Sequence, residues 1–244
     1  MAGQWLSVTD INFKCQILAL GVVAIIIYDF IRSKRLPLRS TRLFGFFLAM
    51  GAFNLVTDIV TYYTLLNYKL VPPVLNRVLH ILFIGSIELM PAILFLYVFY
   101  LYGIRKSFRK WQVALFVIPF ILAAVGSVIA PIYYHVDEHG AYSYGPMVYI
   151  MYASIAVYIV CVYALLLCKS KKHYHSDVIA DYRKGRITVA VGLGIWIAVA
   201  LIQFITKYIL ISSMGISLML LYIYLSFENP KRYADEETAP LNRR

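Results

Sequence analysis

Charge is scarce in this chain. Only 14% of its 244 residues are Asp, Glu, Lys or Arg, whereas a soluble domain carries about a quarter. Cysteine is scarce too: Cys15, Cys161 and Cys168 are the three present. All lie in or at the ends of apolar runs, so neither a disulfide framework nor a metal cluster is implied. There is no H-E-x-x-H, G-x-S-x-G or P-loop run, and nothing else resembles a catalytic constellation. The chain is therefore read as a non-enzyme, and no cofactor is implied. No basic segment precedes the first apolar run and no small-residue cleavage site stands out, so that run is expected to act as a signal anchor. Repeats of 20–50 residues and low-complexity segments are absent as well.

What fills the chain instead is apolar. Hydrophobic residues make up 61%, with a mean hydropathy of +0.74. Seven stretches have the roughly 20 mostly apolar residues that a membrane span needs: 11–31, 43–66, 78–101, 111–132, 148–167, 187–206 and 208–225. They are continuous rather than alternating, which predicts helices and not a barrel. The expected fold class is all-α: a polytopic membrane protein built as a seven-transmembrane helix bundle. Only Thr206-Lys207-Tyr208 separates the last two stretches, which implies a tight turn or, alternatively, one long re-entrant segment.

The net charge of +11 does not point to nucleic acid, because its distribution explains it. Nineteen of the 23 basic residues follow the first, third, fifth and seventh stretches; Lys14, Lys69, Arg77 and Lys207 fall on the other side. This is the positive-inside pattern. It puts the N-terminus outside and the C-terminus in the cytoplasm, with the lipid bilayer, including its anionic headgroups, as the partner of the basic face.

Polar residues inside the spans mark candidate function. Asn54, Thr57, Asp58 and Thr61 follow i, i+3, i+4, i+7, one helical face. Asp58 lies about 22 Å along its helix from the inner end, at 1.5 Å per residue, and so in the outer half. The third stretch carries His80 near its mouth, Glu88 about ten residues into the stretch, and Pro91, which removes the backbone bond to Ile87 and is expected to kink the helix. Trp196 and Gln203 share a face of the sixth stretch, and Lys207 follows at its end. These depths converge on a candidate pocket for a small polar or cationic molecule: Asn54, Asp58, Tyr62, His80, Glu88, Trp196, Gln203 and Lys207, with Tyr63 near the rim. The alternative is that Asp58 and Glu88 pair with Lys14, Lys207 or, sharing a proton, with each other, and serve only to join helices. A shared proton would also suit a pH sensor or a proton relay. Asp29 is read as an i, i+3 partner of Arg32.

The segment 133–147 reads YYHVDEHGAYSYGPM. Its glycines among aromatics suggest a small hairpin lid on the outside, with Asp-Glu-His-Gly as the turn. His135 and His139 have zinc-like spacing on a helix, but a loop is expected and no third ligand is evident. The last span has no deep lysine for a retinal Schiff base, and Asn229-Pro230-Lys231-Arg232-Tyr233 lies beyond it, outside the context in which N-P-x-x-Y serves animal receptors.

Phe227-Glu228-Asn229-Pro230 follows the last span, and then comes Asp235-Glu236-Glu237-Thr238-Ala239-Pro240-Leu241-Asn242-Arg243-Arg244. The latter resembles a degenerate opening of the GGDEF domain of bacterial diguanylate cyclases, which begins D-x-L-T-G-L-x-N-R-R. Asp235, Thr238, Asn242, Arg243 and Arg244 match; Glu237, Ala239 and Pro240 stand where the family has Leu, Gly and Leu. The whole arrangement is similar to the seven-span input regions of such cyclases and of membrane histidine kinases. The resemblance implies a sensor domain at 1–226 and a linker with the start of an output domain at 227–244. It implies a bacterial inner-membrane receptor for an unknown small-molecule signal, homodimeric in its full form. Pro91, Glu228, Asn229 and Pro230 would carry the signal to a cyclic di-GMP output. This chain by itself is expected to make no cyclic di-GMP. The rival reading is a small ion or solute transporter using Asp58 and Glu88.

Overall fold

The computed structural model describes residues 8–33, 39–101, 110–137, 140–167 and 176–229, with only the backbone of 110–116 and 176–184. Seven α-helices run in chain order: α1 (Val8–Arg32), α2 (Arg39–Leu66), α3 (Pro73–Leu101), α4 (Lys110–Ile129), α5 (Pro146–Leu167), α6 (Ser176–Thr206) and α7 (Ser212–Ile223). A two-stranded hairpin, β1 (Tyr133–Asp137) and β2 (Gly140–Tyr144), joins α4 to α5, and a π-helical turn, Tyr224–Glu228, extends α7. Among the described residues, five helices are long and apolar enough to cross a membrane, and Val117–Ile129 and Ser212–Glu228 are shorter apolar segments. The chain is thus a helical membrane protein. Large apolar side chains face outward at Ile25, Val160 and Ile205 among many others, as lipid contact requires and water would not favour.

Of the five long apolar helices, α3 is the most enclosed. It packs against α2, α4 and α5, while α7 packs against α1, α2 and α6. The core between them is continuous, with Phe44, Phe47, Met90, Leu94, Tyr97, Leu193 and Leu220 within 1% of full burial. Helix α3 runs unbroken through Pro91, whose ring leaves the Ile87 carbonyl without its helical donor.

The register of the hairpin is Tyr133↔Tyr144 to Asp137↔Gly140. The 138–139 tip, and with it His139, lies outside the described residues. Gly145, at φ +115°, ends β2; a Cβ there would meet Tyr133 Cδ2 at 2.9 Å and the Pro131 carbonyl at 3.2 Å, so only glycine fits where α4, the hairpin and α5 converge. Arg77 reaches from the first turn of α3 to the last carbonyls of α4, with Nη2 donating to Val128 at 2.7 Å and Ala130 at 3.3 Å. A cation at a helix C-terminus is placed to satisfy orphan carbonyls.

The seventh stretch departs from the sequence reading. The α6–α7 connection spans 207–211, and α7 starts at Ser212, not Tyr208. The cause is a side chain from α1. Asn12, fully buried, donates to the Tyr208 carbonyl at 2.8 Å and accepts from the Leu210 amide at 2.9 Å. It thereby holds this stretch out of the helix and supplies the bonds a helix would have made. Lys207 takes φ +52° at the turn. Two helices therefore pack against each other where a single re-entrant segment was the alternative.

Asp29 is also placed differently. Its carboxylate accepts from the Tyr224 hydroxyl, and Arg32 donates to Tyr28 at 3.1 Å. The i, i+3 pair gives way because Tyr224 arrives from the π-helical turn and takes the Asp29 carboxylate. Beside it Tyr97 donates to Glu228 at 3.2 Å. Both acids thus tie the end of α7 to α1 and α3. Pro230 and residues 231–244 lie outside the described residues.

Candidate functional site

A cavity of about 590 Å³ opens at the hairpin end of the bundle, between α2, α3, α5 and α6, with the hairpin over it. Its size suits a ligand of small-molecule dimensions. Of the candidate residues, Asp58, Tyr62, His80, Trp196, Gln203 and Lys207 line it. Asn54 and Glu88 do not, and Tyr63 is 60% exposed on the outer surface.

The stripe on α2 is buried as a unit: Asn54, Thr57, Asp58 and Thr61 are each at most 6% exposed. Its members then divide by task. Thr57 and Thr61 return their hydroxyls to their own helix, at Phe53 and Thr57 carbonyls. Asn54 donates to Ser86 at 2.8 Å and to the Phe83 carbonyl at 3.3 Å, which joins α2 to α3 below the cavity. Asp58 alone presents a carboxylate to the cavity. It accepts from the Ser213 hydroxyl of α7 at 2.5 Å. Gln16 of α1 lies within electrostatic reach of it, yet neither amide atom of Gln16 is in a hydrogen bond.

Glu88 is fully buried but faces α4 instead of the cavity. Its Oε1 is 3.5 Å from the Ser127 hydroxyl and its Oε2 has no partner. A helix places residues by rotation as well as by depth: Glu88 and His80 are eight positions apart, and the cavity takes Ile84 and Ile87 of α3 while Glu88 turns away. Among the described residues neither Asp58 nor Glu88 has a cationic partner, and Lys14 is exposed. Each acid instead meets a serine hydroxyl from another helix, Ser213 of α7 for Asp58 and Ser127 of α4 for Glu88.

At the mouth, His80 Nδ1 lies 2.9 Å from the Asn76 carbonyl, so Nδ1 carries a proton and donates, and the ring packs 4.9 Å from Tyr134. Burial raises the Tyr134 phenol above its ordinary pKa, with Arg77 opposing. Gln203 Oε1 accepts from the Ser212 amide at 2.8 Å and so caps α7 from α6, since Ile211 has no side chain able to do so. The Lys207 ammonium sits 6.0 Å from the centre of the Tyr142 ring. Tyr208 closes the lid: its hydroxyl donates to Asp137 Oδ2 at 2.6 Å, and its ring meets Tyr142 edge-on at 5.2 Å. The same Asp137 oxygen is 3.0 Å from His135 Nε2.

No family model matches the chain, and no curated protein sequence matches it.

The sequence reading lacked three parts of this site. Ser213 is the partner of Asp58 from 155 residues away; its signal is the Ser212-Ser213 pair at the start of an otherwise apolar segment. The roof tyrosines, Tyr142 and Tyr144, follow from the strand register. Gly215 lets Trp196 against α7: a Cβ there would meet Trp196 Cδ1 at 3.2 Å and Val199 Cβ at 3.1 Å.

Proposed function

We propose that this chain is the membrane-embedded input domain of a receptor. In this reading seven helices span the membrane, the hairpin end faces outside and the π-helical end faces the cytoplasm, as the positive-inside pattern favours. A signal molecule occupies the cavity under the hairpin, and the last helix carries the change to a cytoplasmic output. A diguanylate cyclase domain after Arg244, acting within a homodimer in a bacterial inner membrane, is the output that the GGDEF-like ending favours. The chain itself has no reaction in this scheme. One observation supports it most: Asp58, which lines the cavity, is bonded to Ser213 in the first turn of α7. A ligand that binds Asp58 changes how strongly its carboxylate holds Ser213, and a ligand shifts an equilibrium only through such differential contacts. At the far end of the same helix, Tyr224 and Glu228 hold Asp29 and Tyr97, within a π-helical turn of the kind often found at functional positions.

Coupling is tested without any ligand. Ser213→Ala breaks the cavity-end bond, and amide hydrogen exchange at Tyr224–Glu228 is then compared with that of the parent chain in nanodiscs. Faster exchange at the π-helical turn is the expected result. Acceleration confined to the first turns of α7 would sink the receptor reading.

The unpartnered Oε2 of Glu88 favours transport as the second reading. Proton or sodium flux into proteoliposomes, lost in Glu88→Gln, would establish it.

A further inference from the structure

We propose that the cavity under the hairpin takes an organic cation: an amine or quaternary ammonium on a compact apolar body, its charge held between Asp58 and the aromatic walls. The inference rests on the reading of this cavity as the signal site, and it names the chemistry of the signal.

Four observations carry it. Asp58 is the one acid among the lining residues, and it is 6% exposed. Among the described residues its well-formed hydrogen bond comes from a neutral hydroxyl, that of Ser213, and the Gln16 amide beside it is neutral as well. A carboxylate has about four acceptor positions, and a buried one is stable only when paired. The partner that this site lacks is a cation.

The walls are aromatic. Tyr62, Tyr142, Tyr144, Tyr149, Tyr152 and Trp196 all line the cavity. Ring faces attract ammonium groups, most strongly where water is excluded. Trp196 is 2% exposed, so its ring is shielded from water. Asp58 and Trp196 touch the same turn of α7, the first through Ser213 and the second against Gly215.

The roof already carries an ammonium. Lys207 Nζ stands 6.0 Å from the Tyr142 ring centre, at the mouth. It occupies the place where an entering cation would first meet an aromatic face, and it competes for it.

Size excludes a bare metal ion. The volume of about 590 Å³ is that of a molecular site, and among the described residues no group of three His, Cys, Asp or Glu side chains could hold a metal. Apolar side chains such as Ile84, Ile87 and Ile155 line much of the rest, which suits a hydrocarbon body.

A free ammonium and a choline lipid headgroup share this chemistry, so the test has two arms. The chain is placed in phosphatidylglycerol nanodiscs, with Trp5→Phe and Trp111→Phe leaving Trp196 as the fluorophore. It is titrated with phenyltrimethylammonium at constant ionic strength. Benzyl alcohol serves as the uncharged probe of similar size, and sodium chloride as the inorganic cation. The expected result is a saturable change in Trp196 emission for the ammonium alone. Affinity should fall at least about tenfold in Asp58→Asn and in Tyr142→Leu, as when one partner of a buried charged contact is lost. It should rise in Lys207→Ala, where the competing ammonium is gone. In the second arm, phosphatidylcholine nanodiscs weaken the probe by competition if the headgroup is the source, and leave it unchanged if a free cation is.

Equal response to benzyl alcohol, no saturation, or full affinity in Asp58→Asn would overturn the proposal. Should Asp58→Asn not fold, Tyr142→Leu and Lys207→Ala decide, and unchanged affinity in both would overturn it. The two readings fail separately. If the ammonium does not bind while Ser213→Ala still loosens the π-helical turn, the ligand class is wrong and the receptor stands. If it binds while that turn is indifferent to Ser213→Ala, the site is a cation site without transmission.

Discussion

The Ser213 hydroxyl donates to the Asp58 carboxylate at 2.5 Å, across 155 residues of sequence, and this bond joins the cavity to the helix that leaves it. Asp58 sits in the α2 half nearer the hairpin, and Ser213 is the second residue of α7. The proposed receptor coupling runs through this pair.

Ser213→Ala is expected to lower stability by about 1–3 kcal/mol, the cost of leaving a buried carboxylate without its donor. Thermal unfolding of the two chains in the same nanodisc measures it. Ser212→Ala is the comparison, because there the amide, not the hydroxyl, makes the bond to Gln203; a loss of less than about 0.5 kcal/mol is expected.

Asn12 bonds three groups at once: the Tyr62 hydroxyl at 3.1 Å, the Tyr208 carbonyl and the Leu210 amide. Asn12→Ala is expected to cost about 2–4 kcal/mol, since buried backbone groups lose their partners. Hydrogen exchange should rise sharply at 207–211 and little at the π-helical turn. Protection that stays intact at 207–211 would show that the connection is held by something else.

Gly215→Val adds a branched side chain where a Cβ already meets Val199 and Trp196 at 3.1 to 3.2 Å. The α6–α7 contact must open, at about 1–3 kcal/mol. Trp196 emission should shift to the red as water reaches the ring. An unshifted spectrum would mean that Trp196 is held by α5 and not by α7.

The hairpin latch gives a pH signature. The bond to Asp137 pushes the Tyr208 phenol up to about 12, from an ordinary value near 10. The folded chain thus favours the neutral phenol. The latch contributes fully below about pH 10 and is lost as pH rises through about 12. Phenolate absorbance of the parent chain minus that of Tyr208→Phe should show a step near 12. A step near 10 would mean that Tyr208 and Asp137 are not joined in solution.

Much of the scaffold was legible in the sequence because lipid imposes a simple rule: apolar runs of sufficient length become helices. The polar stripe of α2 was legible for the same reason, since Asn54, Thr57, Asp58 and Thr61 can all escape hydrocarbon on one face. The hairpin was legible from Gly140 and Gly145 among aromatic residues. The start of α7 was not. Hydropathy places Tyr208 to Ile211 inside an apolar stretch, and only the Asn12 side chain from the far end of the chain takes them out of it. Glu88 turns away from the cavity for a rotational reason. Depth along α3 could be counted, but the face that α3 turns to α4 depends on how α2, α4 and α5 pack around it.

The sequence by itself determined that this chain is helical, that it belongs in a membrane, and which polar residues lie at cavity depth. Hydropathy and helical periodicity act locally, so one chain segment suffices to read them. Only the tertiary structure decided which acid meets the cavity, that a serine and not a lysine answers Asp58, and that Tyr208 and Asp137 close the lid. Those contacts join residues from separate elements, and their geometry comes from the packing of whole helices.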